Sequence, residues 1–261
     1  MVPKQTAPKI LAMKAKGEKI VCLTAYDYTS ALISDESGAD LILVGDSLGT
    51  VIHGSSVTTA VTLEETVYHV RIARRGVSRA LFVADLPFGT YGATVGQAVE
   101  SAAALVKAGA EAVKLEGAYT DEFKAIVKSG VPAMGHVGMT PQSVNMFGGH
   151  RVQGRGEAGA LIVDQAKQLE DAGVFAIVLE LVTSEIAERI TKAVSVPTIG
   201  IGAGVGCDGQ IQVWHDVVGL WSHQFKHSKK FANGRTAFLR GLRKYGAEVR
   251  AGTFPGPENS F

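Results

Sequence analysis

Residues 94–117 read TVGQAVESAAALVKAGAEAVKLEG, and this stretch holds the repeating unit of the fold. Its first part is helix-like, starting at the capping residue Thr94 and stopping at Gly109. A short apolar run, AVKLEG (112–117), follows at once. In a strand, Val113 and Leu115 share one face while Lys114 and Glu116 share the other. The apolar pair belongs against helices, which aims the charged pair into the interior of a barrel.

The same alternation extends in both directions. Strand-like runs occur at 19–27, 41–46, 80–87, 112–117, 131–138, 176–182, 196–204 and 212–220. Most are continuously apolar, as strands covered on both faces are. Between them lie helical patterns at 62–76, 94–110, 120–130, 156–173 and 183–194. The first carries Thr62 and Glu65 at capping-box spacing. Eight strands alternating with helices predict an α/β protein, a closed (β/α)8 TIM barrel. A single domain over 1–261 is expected, with a short N-terminal extension and an irregular C-terminal arm. The gap between the seventh and eighth strands is too short for a full helix, so that crossover should be degenerate.

Composition narrows the function classes. The 261 residues carry a formal net charge of +1 and no basic stripe interleaved with aromatics, so no nucleic-acid partner is expected. The densest basic run, FKHSKKF (225–231), reads as a solvated helix end or loop. No apolar run approaches the roughly 18 residues of a membrane span, and the N-terminus shows no signal-peptide core. Cys22 and Cys207 form no CxxC pair and suggest neither disulfide nor zinc. A reduced, cytoplasmic protein is the expectation. Residues 204–209 match G-x-G-x-x-G, but neither a strong helix nor a suitably spaced acidic residue follows, so a phosphate-cradling or tight barrel turn is expected there.

The polar residues gather at one end of the scaffold. Asp46, Asp85, Glu116, His136 and Glu180 fall at or near the C-terminal ends of five consecutive strands, the end where barrels of this kind build active sites. Taken singly, Asp46 and Asp85 also read as turn or cap residues, Glu116 as a loop carboxylate, Lys114 as a salt-bridge partner and His136 as a core histidine. Glu180 is harder to dismiss, because apolar residues surround it in FAIVLELV. With neighbouring strands about 4.8 Å apart, Asp46, Asp85 and Glu116 can converge. An oxygen-only donor set favours a hard divalent ion, Mg2+ before Ca2+ or Zn2+.

At this point the sequence resembles a known family, the 3-methyl-2-oxobutanoate (ketopantoate) hydroxymethyltransferases. The segments that carry the likeness are KIVCLTAYD, LILVGDSLG, VTLEETVYH, DLPFGTY, AVKLEG, GHVGMTPQS, IGIGAG with CDGQ, and the FPGPENSF ending. The resemblance implies a Mg2+ cofactor, 5,10-methylenetetrahydrofolate as co-substrate, small-molecule substrates and a homo-oligomer, usually a decamer. Asp46, Asp85 and Glu116 then look like the metal residues. Asp46, Ser47, Asp85 and Lys114 look like the contacts to the oxo acid, and Glu180 like the catalytic proton acceptor. His136 matches a family active-site position. The loop 139–156 is a candidate for contacts to the folate. Departures from the family pattern are Thr50 for Met, Ala60 for Pro, Leu181 and Thr183 beside Glu180, and Asn259 for His. None replaces a carried-over side chain. The rival expectations are another Mg2+-dependent, enolate-forming lyase or aldolase acting on a 2-oxo acid, and a barrel reduced to a binding role, which would have lost the site carboxylates.

Overall fold

The computed structural model describes residues 3–221 and 224–261, and the chain divides into two compact units, one running to Val213 and one from Trp214 to Phe261.

The first unit is the barrel. In chain order it contains α1 (Ala7–Lys16), β1 (Ile20–Thr24), α2 (Tyr28–Glu36), β2 (Leu41–Val44), α3 (Leu48–Val51), α4 (Leu63–Ala73) and β3 (Leu81–Asp85). Then come α5 (Val95–Ala108), β4 (Ala112–Lys114), α6 (Thr120–Lys128), β5 (Ala133–Gly138), α7 (Val144–Phe147), α8 (Ala158–Asp171) and β6 (Ala176–Glu180). The unit ends with α9 (Ser184–Ala193), β7 (Thr198–Ile201) and β8 (Gly209–Gln212). Each strand pairs in parallel with the next, and β8 closes on β1 with Ile20 opposite Gly209. The expected (β/α)8 barrel is therefore present.

Local chemistry starts the helices where the sequence indicates. Thr62 Oγ1 accepts from Glu65 N at 3.2 Å, and Glu65 Oε2 accepts from Thr62 N at 2.8 Å, a reciprocal cap on α4. Thr94 Oγ1 accepts from Gln97 N at 3.1 Å and caps α5.

Strand alternation separates two cores. Ile42, Val44, Phe82, Ala84, Val113, Leu115, Ile177 and Leu179 pack outward against the helices. Ile20, Cys22, Leu43, Val83, Ala112, Met134, Val178 and Ile211 fill the interior, and Ile10 and Met13 of α1 join them, stopping the lower end of the barrel. Above this interior layer the inward-facing positions become polar.

The eighth strand lies at Gly209–Gln212, not at 212–220 as the apolar run suggests. No helix stands between β7 and β8 to cover the outer face of β8, so that face carries the exposed Gln210 and lacks the continuous apolar signature. Gly209 is needed there, because a side chain would strike Ile20 of β1. The helixless connection between β7 and β8 is the degenerate crossover the spacing predicts. The G-x-G-x-x-G segment lies in this turn and leads into β8, not into a helix.

In the second unit, α10 (Trp214–Val217) occupies much of the run read as a strand, and α11 (Gly234–Ala251) follows. Residues 225–231 form neither helix nor strand. No helix among the described residues is long and apolar enough to cross a membrane.

Candidate active site

Register brings the charged residues together. Asp85, the last residue of β3, lies opposite Lys114, the last of β4, and Lys114 Nζ stands 2.7 Å from Asp85 Oδ1. Glu116 Oε1 is 3.9 Å from the same ammonium. On β5, His136 Nδ1 lies 3.4 Å from Lys114 Nζ and 3.5 Å from Glu116 Oε1, while its Nε2 lies 3.4 Å from Glu180 Oε2 on β6. Asp46, in the turn after β2, places its backbone N–H 3.0 Å from Asp85 Oδ2. Asp46, Asp85, Lys114, Glu116 and His136 thus form one contiguous, buried cluster at the expected end of the barrel, with half-buried Glu180 beside it. Ser47 is half-buried at its edge, its Oγ 2.8 Å from Tyr26 Oη. A Cβ on Gly45 would meet both Ser47 Oγ and Asp85 Oδ2, so the bare glycine leaves room for both.

The site is short of positive charge. Four carboxyl groups surround one lysine. Burial, reinforced by Glu116, raises the Asp46 pKa to about 6. Burial raises that of Asp85 to about 7 against the pull of Lys114. Glu116 is raised, again chiefly by burial, and Glu180 is raised well above the usual range by burial and by the Glu116 charge. Burial disfavours the Lys114 ammonium, but the Asp85, Glu116 and Asp46 carboxylates outweigh it and keep the amine charged. Burial, then Lys114, holds His136 well below the usual histidine range, hence neutral. An ammonium can only donate, so Nδ1 accepts from Lys114 and Nε2 carries the proton. That N–H is not aligned for a hydrogen bond to Glu180.

Among the described residues, no three His, Cys, Asp or Glu side chains form a ready-made metal cage; Lys114 stands among the carboxylates instead. The donors nonetheless fit a hard divalent ion. Asp85 Oδ1 is a buried acceptor in contact with Lys114 but without an aligned hydrogen bond. Mg2+ commonly takes one or two protein carboxylates and completes its shell with water and substrate oxygens.

The turn after β6 sets Glu180 in place. Leu181 adopts φ +47°, a left-handed conformation costly for a leucine. Hydrogen bonds hold it there. Leu181 N donates to Ile201 O at 2.9 Å, Gln153 N donates to Leu181 O at 2.7 Å, and Met139 N donates to Glu180 O at 2.8 Å. Side-chain exposure is 15% at Glu180, against 3% at Asp85 and 2% at Glu116, so Glu180 is the most exposed of the three.

Three residues that sequence reasoning does not single out complete the site. Gln142 donates from Nε2 to Asp46 Oδ2 at 3.0 Å and from its backbone N to Glu116 Oε2 at 2.9 Å. Tyr91 Oη donates to Gln142 Oε1 at 2.6 Å. Tyr26 holds Ser47 through its hydroxyl, while its carbonyl is 2.6 Å from His69 Nδ1. All three lie inside segments that carry the family likeness, but neutral side chains give no charge signal.

Comparison with known proteins follows the same line. Residues 4–257 match the family described as ketopantoate hydroxymethyltransferase. A Moorella thermoacetica protein named 3-methyl-2-oxobutanoate hydroxymethyltransferase is 51% identical over 261 residues, spanning 98% of this chain and 97% of the relative. A Pyrococcus furiosus protein of the same name is 46% identical over 257 residues, spanning 97% and 90%. Among solved structures, a phosphonopyruvate hydrolase superposes with a TM-score of 0.65 at 12% identity, covering 98% of this chain and 91% of that one. The same enzyme in complex with oxalate and Mg2+ gives 0.64, covering 98% and 92%. A 2,3-dimethylmalate lyase of the PEP mutase/isocitrate lyase superfamily gives 0.61 at 13% identity, covering 98% and 91%. At that identity the structural likeness speaks for the fold alone.

Proposed function

The chain belongs to the ketopantoate hydroxymethyltransferase family, and from that premise we propose that it transfers a hydroxymethyl group from 5,10-methylenetetrahydrofolate to 3-methyl-2-oxobutanoate, giving 2-dehydropantoate, with Mg2+ as its cation. Small-molecule substrates, a homo-oligomeric assembly and a cytoplasmic setting belong to the same reading.

The observation that carries it is a division of labour among the carboxyl groups. Asp85 and Glu116 are sealed beside Lys114, while Glu180 is more exposed and has neutral His136 as its nearest ionisable neighbour, at 3.4 Å. Asp46, Asp85 and Glu116 supply the oxygens that would hold Mg2+. A bound divalent cation supplies Lewis acidity, which eases loss of a proton beside a ketone. Lys114 offers fixed positive charge to the substrate carboxylate, and Ser47 and Asp46 lie on the turn beside it. Glu180 Oε2 receives the C3 proton. Because His136 is neutral, it adds no positive charge that would weaken that base.

The test is product formation from 3-methyl-2-oxobutanoate, with methylenetetrahydrofolate and Mg2+ each supplied and withheld. Product should require all three. C3 proton exchange in D2O should require Mg2+ but not folate. Product formed equally well after chelation, or another 2-oxo acid cleaved without folate, would overturn the proposal.

A further inference from the structure

Gln142 makes four hydrogen bonds from a buried position in the turn after β5. Its Nε2 donates to Asp46 Oδ2 at 3.0 Å and to Leu86 O at 3.1 Å; its Oε1 accepts from Tyr91 Oη at 2.6 Å; its backbone N donates to Glu116 Oε2 at 2.9 Å. The amide has only one workable orientation. Turned over, it would set Oε1 against two acceptors, the Asp46 carboxylate and the Leu86 carbonyl. Tyr91 agrees with that orientation: its hydroxyl accepts from Glu116 N at 3.2 Å, and of the two acceptors in reach of its hydrogen, Gln142 Oε1 at 2.6 Å is closer than Glu116 O at 3.3 Å.

The partners of Gln142 come from three other strand ends. Asp46 follows β2, Leu86 follows β3 and Glu116 follows β4, while Gln142 itself belongs to a single turn, Pro141–Ser143, beyond β5. One neutral residue therefore joins the turn after β5 to two of the acids assigned to the cation. A buried N–H from the same residue reaches an oxygen of each acid, and such charge-assisted hydrogen bonds hold both carboxylates in one orientation.

We infer that Gln142 is a positioning residue for the metal site: it fixes Asp46 and Glu116 in one arrangement, Tyr91 fixes Gln142, and the place of the 140–143 turn and the geometry of the acids become a single variable. This rests on the reading of Asp46, Asp85 and Glu116 as the acids that hold Mg2+.

The experiment titrates Mg2+ alone into the full-length wild type, Gln142→Met and Tyr91→Phe by calorimetry, with thermal melts and oxo-acid proton exchange on the same samples. Groups that orient metal ligands typically contribute 10–100-fold to metal affinity. Gln142→Met should weaken Mg2+ binding about tenfold or more, and raising Mg2+ should restore much of the exchange rate. Tyr91→Phe should weaken binding in the same direction by a smaller factor. A merely structural role would lower the melting temperature and leave the affinity of the folded fraction unmoved. Affinities within twofold of wild type in the variants that fold would overturn the inference. Should Gln142→Met fail to fold, Tyr91→Phe decides it alone. Wild type that binds no Mg2+ would overturn the metal reading and this inference with it; wild type that binds alongside unaffected variants would overturn this inference only.

Discussion

Asp85 and Lys114 are register partners on adjacent strands, and both side chains turn inward to form a buried ion pair of 2.7 Å. Lys114 keeps Glu116 at 3.9 Å when Asp85 is removed, and burial already disfavours the Asp85 carboxylate. Asp85→Asn should therefore leave the metal-free fold intact while weakening Mg2+ and oxo-acid binding together by tenfold or more. Calorimetry with each ligand, beside a melt, checks this; unaltered affinity for both would remove Asp85 from the site.

Glu180→Gln keeps shape and burial but cannot accept the C3 proton. Exchange of that proton in D2O should fall by about 10²–10⁴-fold, the usual contribution of a general base. Affinity for Mg2+ and oxo acid should stay within a few-fold, because Glu180 lies outside the sealed group. Proton exchange by NMR reads the first and calorimetry the second.

The raised carboxyl pKa values fix the sign of a pH effect. Asp46 and Asp85 titrate near 6 and 7 in the fold, against about 3.9 in the unfolded chain. The native state then binds more protons than the unfolded state across that window. The stability these groups contribute is fully present below about pH 4 and is lost as pH rises through 6 to 7. Metal-free protein should melt at a lower temperature at pH 8 than at pH 5, so far as these groups decide. Mg2+ selects the ionised acids, so the rise in melting temperature it causes should be larger at pH 8. Differential scanning calorimetry with and without chelator checks both.

Gly138 has φ +96°, and a Cβ there would run into Glu180 O and Val182 Cγ2. Gly138→Ala combines backbone strain with overpacking and should cost about 2–5 kcal/mol. It should also displace Glu180, so proton exchange should fall further than the loss of folded protein explains. Denaturant unfolding and exchange measured on one preparation separate the two effects.

The site acids were legible because strand alternation is strict. Val113 and Leu115 had to face the helices, and the inward placement of Lys114 and Glu116 followed. The eighth strand is misread at 212–220 because β8 itself, Gly209–Gln212, is short and carries two glutamines and a glycine in place of an apolar run. Helix α11 is a different case: Phe238, Leu242, Tyr245 and Val249 recur at helical spacing, a signal that a reading organised around strand runs passes over, and Gly241 and Gly246 weaken its helix propensity. Gln142 and Tyr91 were illegible because their meaning lies in partners far away in sequence, 96 positions from Gln142 to Asp46 and 51 from Tyr91 to Gln142. Sequence spacing shows which residues share a strand face; it does not show which loop folds back over it.

Ile10 and Met13 cork the barrel from below, and that makes the pocket a dead-end street. At the other end Glu180 is the most exposed of the acids, so on the proposed reading the keto acid, seated on Lys114 and Asp85, lies deeper than the donor that brings carbon to it. Initial-rate kinetics should accordingly obey a compulsory order, with the keto acid leading.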